Sequence, residues 1–241
     1  MLKSPFTAFI TAAVLLTSVV PVAHGAALDD SKPLKIGIIG TGNIGGVLAK
    51  HWAKAGHELI ISSRHPEQLA ALAKSLGPKV RTGTPKEAAA FGDVVLVSIP
   101  YMATPQLGRD LASELKGKIV LDTGNPYPNR DGAMADDARK RGTGTTSAEF
   151  LPGTRLVRAF NAIAWTALDK ESNRAGEKYS IPLAGDDAEA LRVAQRLVRD
   201  AGFDPVVVGG LARAKDFDVG TPVYVKLLTA AELRKALNLS K

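Results

Sequence analysis

The 241-residue sequence contains no cysteine. That excludes disulfide bonds, zinc–thiolate centres and a cysteine nucleophile, and it is compatible with an oxidising compartment. Aromatic residues are scarce at 5%, so the core is expected to be aliphatic, built from Ala, Val, Leu and Ile. The few histidines, His24, His51, His57 and His65, lack the spacing of a zinc site. His57, in the AGHEL turn, reads as structural. No G-x-S-x-G nucleophile elbow occurs, and there is no internal repeat or low-complexity tract. Acidic residues are outnumbered, giving a formal charge of +7. The basic residues are nevertheless scattered, and their tightest cluster, Arg139-Lys140-Arg141, follows Asp136-Asp137. That cluster reads as a solvated helix face, so no nucleic-acid partner is expected.

What is present begins with a leader-like segment. Lys3 precedes an apolar stretch from Phe9 to Val20, then Pro21, then Ala23-His24-Gly25 before Ala26. This is the layout of a secretory signal peptide over residues 1–25, without a twin arginine, and it predicts export of an unfolded chain, in a bacterium to the periplasm. An uncleaved segment that tethers the protein to a membrane stays open. So does a start codon assigned too far upstream, which would make the protein cytoplasmic. The next methionines, Met102 and Met134, lie beyond the glycine-rich loop described below.

After the linker ALDDSKP, apolar runs alternate with helical patterns. The runs lie near 35–39, 57–62, 79–82, 93–99, 118–123, 155–160, 178–184 and 204–208. Most are almost continuously apolar, as strands buried on both faces of a parallel sheet are. In GDDAEALRVAQRLVRDAG, Asp186 with Glu189 suggests a capping box, Leu191, Ala194, Val198 and Ala201 share one face, and Gly202 ends the helix. The stretch 221–239 reads as one helix capped by Thr221, with Pro222 in its first turn and Tyr224, Leu227, Leu228 and Ala231 as its apolar stripe. The order predicts a doubly wound α/β fold with a mainly parallel sheet. It divides into a dinucleotide-binding domain at 34–153 and a small C-terminal lobe at 154–241.

Directly after the first apolar run comes Gly40-Thr41-Gly42-Asn43-Ile44-Gly45, opening a helix that ends near Gly56. A lone G-x-G-x-x-G is weak evidence, but strand, loop, helix and next strand here have the length of the dinucleotide fingerprint. Gly40 permits the tight turn, Gly42 lets the backbone approach a pyrophosphate, and Gly45 allows close packing of helix on strand. The helix N-terminus supplies free N–H groups and positive potential. The second strand ends in Ser62-Ser63-Arg64, where an NAD-specific site carries a carboxylate for the ribose hydroxyls. Serine hydroxyls and a guanidinium donate to a 2′-phosphate that a carboxylate would repel. The tip therefore predicts NADP(H), with His65 either an added donor or an exposed turn residue.

The strings KIGIIGTGNIG…GHELIISSR, DVVLVSIPY, KIVLDTGNPY, LVRAFNAI and PLAGDDAEALRVAQRLVRDAGFDPVVVGGL resemble one family along nearly the whole chain after the leader. It is that of the NADP-dependent reductases of the deazaflavin coenzyme F-420, with their dinucleotide-binding relatives. The resemblance implies a Rossmann fold, NADP(H) as cofactor, a flavin or deazaflavin as co-substrate and, often, a homodimer. It implies that Thr41, Gly42, Asn43 and Ile44 hold the pyrophosphate and that Ser63 and Arg64 hold the 2′-phosphate. It also implies that Ser98, Ile99 and Pro100 line the ribose and nicotinamide side, with Ala162 and Ile163 near the nicotinamide. Two positions depart from the family pattern: Gln68 stands where a Lys is usual, and Asn161 where a His is usual.

Hydride transfer between stacked rings depends on positioning, so no catalytic acid, base or nucleophile is assigned. Asp122, Asn125, Tyr127 and Asp131 follow the fifth strand on the ligand side of such a sheet, where contact with an acceptor and turn formation are equally compatible with them. Two other functions remain open. One is an NADP-binding sensor or relay for a membrane redox partner. The other is a reductase of a small carbonyl or imine, with Tyr101 or Tyr127 as proton donor, although neither sits in a Tyr-x-x-x-Lys arrangement.

Overall fold

The uninterrupted runs of Ile, Val and Leu form strands whose side chains are buried on both faces, because helices cover the sheet front and back. The computed structural model describes residues 28–239; the expected signal peptide lies outside them. The strands are β1 (Lys35–Ile39), β2 (Glu58–Ser62), β3 (Val80–Gly83), β4 (Val94–Val97), β5 (Ile119–Asp122), β6 (Arg155–Arg158), β7 (Ser180–Gly185) and β8 (Asp204–Gly209). Each of the eight apolar runs in the sequence contributes one. They build a single sheet in the order β3-β2-β1-β4-β5-β6-β7-β8. β1 to β6 are mutually parallel, and the antiparallel step is β6 against β7, at Val157↔Gly185 and Arg158↔Ala184. The first six strands have the dinucleotide-binding order, with its reversal between β1 and β4.

The stretch from 154 onward shares this sheet. β6 pairs with β5 from Ile119↔Arg155 to Asp122↔Arg158, and β7 and β8 extend the far edge. An apolar cluster of its own, including Val206, Phe217, Val223 and Leu233, packs this part. On one sheet face lie Leu48, Trp52, Phe160 and Leu197, with the Trp52 indole donating to Leu197 O at 2.9 Å. Ile39, Val95, Val97 and Leu156 belong to a separate cluster. His57 is structural: its Nδ1 accepts from Leu34 N and its Nε2 meets Asp200, both at 3.0 Å. The Arg139–Arg141 cluster is exposed, as expected, and Arg141 pairs with Asp137 and Glu149.

Two helix expectations need correction. The helix Ala188–Asp200 is capped by Asp187, whose carboxylate accepts from Ala190 N at 2.7 Å. Asp186 instead accepts from Leu211 N at 2.8 Å, across the turn after β8. Glu189 turns to Arg192 and Leu28 N, away from the cap. The C-terminal helix is also shorter than 221–239. It spans Ala230–Ala236, with a capping box between Thr229 and Glu232. Residues 221–225 form a bend and turns and 226–228 have no regular structure, and Val225 adopts φ 53°, which no helix accommodates.

Candidate cofactor cleft

The loop between β1 and the helix Asn43–Lys54 is held by two glycines. Gly40 has φ 92°, and a Cβ there would lie 2.3 Å from Ser98 O. A Cβ on Gly45 would lie 2.1 Å from Gly40 O, so only glycine lets the helix seat so close to the turn. Gly42 is different: nothing lies within 4 Å of its Cβ position, leaving the backbone open to a ligand. Thr41 faces the same cleft, but its amide and hydroxyl both donate to Ser62 O, at 3.1 and 3.0 Å. The first helical bond runs from Gly46 N to Gly42 O at 2.7 Å. The amides of Asn43, Ile44 and Gly45 precede it and are the donors available for an anion. No acidic residue occupies this first turn, so the positive end of the helix dipole is not neutralised there.

At the tip of β2 the two serines part company. Ser62 is fully buried and donates to Ile38 O at 2.8 Å, so its hydroxyl belongs to the sheet and not to a phosphate. Ser63 and Arg64 line the cleft. The Ser63 hydroxyl accepts from His65 N at 3.0 Å, which leaves its proton for a ligand. Arg64 is exposed. His65 is an exposed turn residue 3.5 Å from Glu67, and Gln68 is exposed in the turn that follows.

From Ser63 and Arg64 the cleft crosses the glycine loop to Ser98, Ile99 and Pro100 at the end of β4, enclosing about 700 Å³. That volume suits a cofactor-sized ligand. Its far wall is Pro85 and the segment from Met102 to Asp110, with Gln106 and Leu107 facing in. This wall was not legible as a site. The one hint is position, since Thr104-Pro105 opens a helix directly behind the β4 loop. Ala162 and Ile163 lie elsewhere, buried beyond the end of β6 in two different apolar clusters.

Beside Pro100, the ends of β5 and β6 carry a dense polar network. Arg158 and Asp122 are both fully buried and meet at 2.7 Å. Arg158 also donates to Gly124 O at 2.7 Å, and Asp218 lies 3.7 Å away. Burial works against the Arg158 charge, but Asp122 and Asp218 outweigh it and hold the guanidinium above its ordinary pKa. Asn125 Nδ2 donates to Asn161 O at 2.7 Å and to the Tyr224 hydroxyl at 3.3 Å. The Tyr127 and Tyr224 hydroxyls meet at 2.6 Å. Burial, followed by the Tyr127 hydroxyl, pushes the Tyr224 phenol up. Asp131 accepts from Tyr127 N and pairs with Arg130. Tyr101 is fully buried against Thr146, 2.7 Å away, and Ser147. Burial raises its pKa.

Residues 35–126 match the family described as NADP oxidoreductase, coenzyme F420-dependent. The F420-dependent NADP reductase of Methanothermobacter thermautotrophicus is 30% identical over 217 residues, covering 84% of this chain and 93% of the reductase. Metalloreductase STEAP3 of Rattus norvegicus is 29% identical over 187 residues, 76% of this chain; the match spans only 36% of that protein. Among solved structures, a protein of Sinorhizobium meliloti superposes with a TM-score of 0.72 at 28% identity, covering 83% of this chain and 96% of the other. At 30% identity over 84% of this chain and 93% of the reductase, the chain belongs to the F420-dependent NADP reductase family.

Proposed function

We propose that this protein transfers hydride between NADP(H) and a flavin-like or deazaflavin acceptor. The observation that carries the reading is a single cleft with the exposed Arg64 at one end and Ser98–Pro100 at the other. Arg64 makes no ion pair among the described residues, so its charge is available to a 2′-phosphate, with the Ser63 hydroxyl beside it. The first-turn amides of the helix after Gly42 receive the pyrophosphate. When bound, NADP(H) supplies the hydride from its nicotinamide ring. Ser98, Ile99 and Pro100 limit where that ring can lie, and the wall from Met102 to Asp110 excludes water. Such orientation is worth up to about 7–11 kcal/mol of barrier, so the chain needs no nucleophile. The test is NADPH oxidation by the purified protein with FMN and with a deazaflavin. NADPH binding without oxidation by either acceptor would overturn the assignment.

A second reading is favoured by one observation: the match to the metalloreductase spans about a third of that protein. A unit of this kind can serve as the nucleotide-binding part of a larger redox assembly. Tight NADPH binding, no turnover alone and turnover restored by a partner would establish it. Export to the periplasm is likewise inferred, from the N-terminal pattern alone. Mature protein beginning at Ala26 would support it, and a retained Met1 in the cytoplasmic fraction would refute it. Among the described residues no helix is long and apolar enough to cross a membrane.

A further inference from the structure

We infer that Asp110, steadied by Gln106, reads the base of the bound cofactor by accepting a hydrogen bond from the 6-amino group of adenine. The inference rests on the reading of the cleft as an NADP(H) site and deepens it by naming the base the site selects.

The course of the far wall places Asp110. The helix Thr104–Asp110 forms that wall. At its start, Met102 and Ala103 follow Pro100 and line the cleft with it. At its end, Asp110 leads into the short helix Ala112–Leu115, where Glu114 meets Lys86 at 3.3 Å. Lys86 adjoins Pro85, which opens the helix after β3, and β3 is the neighbour of β2 in the sheet. The wall therefore runs from the Ser98–Pro100 side of the cleft to the Arg64 side, with Asp110 and Pro85 at the Arg64 end.

The adenosine ribose carries a 2′-phosphate, a pyrophosphate and the base. Arg64 and Ser63 are available to the first, and the amides after Gly42 to the second. The base is left the part of the cleft bounded by Pro85, Gln106, Leu107 and Asp110. Leu107 packs against the cluster that holds Ile39, as does Ile99, and all three line the cleft. This gives the slot an apolar side suited to a planar ring.

Its polar edge comes from one turn of the wall. The Gln106 carboxamide is held at both atoms: Arg109 donates to its Oε1 at 2.6 Å, and its Nε2 donates to Asp110 Oδ1 at 2.6 Å. The carboxylate is thus fixed through one oxygen. Its Oδ2 has no hydrogen-bond partner, and Asp110 makes no ion pair, among the described residues. Asp110 also closes the helix at the end where the dipole favours a cation, so the helix itself gives no reason for a carboxylate there. An ionised carboxylate only accepts. The adenine 6-amino group donates to it, whereas the 6-oxo group of hypoxanthine or guanine would set acceptor against acceptor.

The test is a binding titration of the purified protein with NADPH and with its hypoxanthine analogue, reduced nicotinamide hypoxanthine dinucleotide phosphate. We expect NADPH to bind about ten-fold tighter than the analogue. Asp110→Asn, whose amide can donate to a 6-oxo group, should weaken NADPH about ten-fold and strengthen the analogue, with an unchanged melting temperature. Equal affinities in the unmodified protein overturn the inference. So does an Asp110→Asn variant that weakens both nucleotides equally, the mark of a structural carboxylate or of one bound to a ribose hydroxyl. Gln106→Leu should narrow the preference without inverting it, and an unchanged preference would remove Gln106 from the positioning role. None of these readouts needs turnover. Failure of every acceptor to oxidise bound NADPH defeats the hydride-transfer reading alone, and absence of a base preference defeats only the role of Asp110.

Discussion

Two arginines stand at strand ends of the same sheet, and the molecule treats them in opposite ways. Arg64 stands exposed at the tip of β2 on the wall of the cleft. Arg158, at the end of β6, is fully buried and spends its charge on Asp122 at 2.7 Å and Gly124 O at 2.7 Å. One guanidinium is left for a ligand; the other is consumed in holding the ends of β5 and β6 together. The Arg64 end of the cleft is thus an open shelf made by one short stretch of chain. Beyond it lies a closed network gathered from the loops after β5 and β6, from Asp218 and from Tyr224. The first leaves its charge open, the second ties its polar groups to one another.

The largest expected effect breaks that contrast at the buried end. Asp122→Ala leaves the Arg158 charge uncompensated in the interior, and stability should fall by about 3–5 kcal/mol in urea denaturation. Loss of less than 1 kcal/mol would mean that water or Asp218 already carries the charge. Arg64→Ala should do the reverse. Its melting temperature should stay unchanged, while NADPH binding weakens about ten- to hundred-fold and NADH binding does not. Equal weakening of both nucleotides would show that Arg64 contacts something other than the 2′-phosphate.

The same contrast explains what could be read in advance. All eight strands were legible because most are almost uninterrupted apolar runs and the rest, such as β3 (Val80–Gly83), are marked off by turn residues, and the glycine loop was legible because its physics is contained in six consecutive residues. Ser63 and Arg64 follow from register alone. The network after β5 and β6 was opaque for a physical reason. Asn125 bonds to Asn161, 36 positions away, and to Tyr224, 99 positions away, and no local pattern encodes such pairings. Residues 221–228 were misread as helix because Val225 at positive φ is a conformation the residue disfavours everywhere, so propensity pointed the wrong way. Asp186 and Asp187 are equally suited to cap a helix; the choice was made by Leu211 N, which claims Asp186. Ser62 looked like a second phosphate donor until its hydroxyl was found on Ile38 O.

That last distinction sharpens the comparison within two adjacent residues. Ser62→Ala should cost about 1 kcal/mol of stability, the net worth of a buried hydrogen bond, without changing NADPH affinity. Ser63→Ala should leave stability alone and weaken NADPH slightly. If Ser62→Ala altered the NADPH to NADH preference, the paired-hydroxyl reading of this tip would return.

The smallest effect concerns the tie between the two ends. His51 lies in the helix that begins at the glycine loop, and its Nε2 meets Leu168 O at 3.0 Å, in the helix that follows the Asn161 loop. Facing a carbonyl, that nitrogen must carry the proton, so the neutral ring already satisfies the contact. Burial is the chief influence on its pKa and pushes it below the ordinary value, with the Leu168 carbonyl opposing more weakly. A histidine with a lowered folded pKa favours the folded state while it is neutral. Its contribution is complete above the ordinary value of about 6.5 and is lost as pH falls from there through the depressed pKa. Urea midpoints should therefore decline across that acidic window, and less steeply in His51→Gln, which cannot take up the proton. Identical slopes for the two proteins would show that the ring titrates as it does in the unfolded chain, and that acid has no particular purchase on the joint between the helix after the glycine loop and the segment after β6.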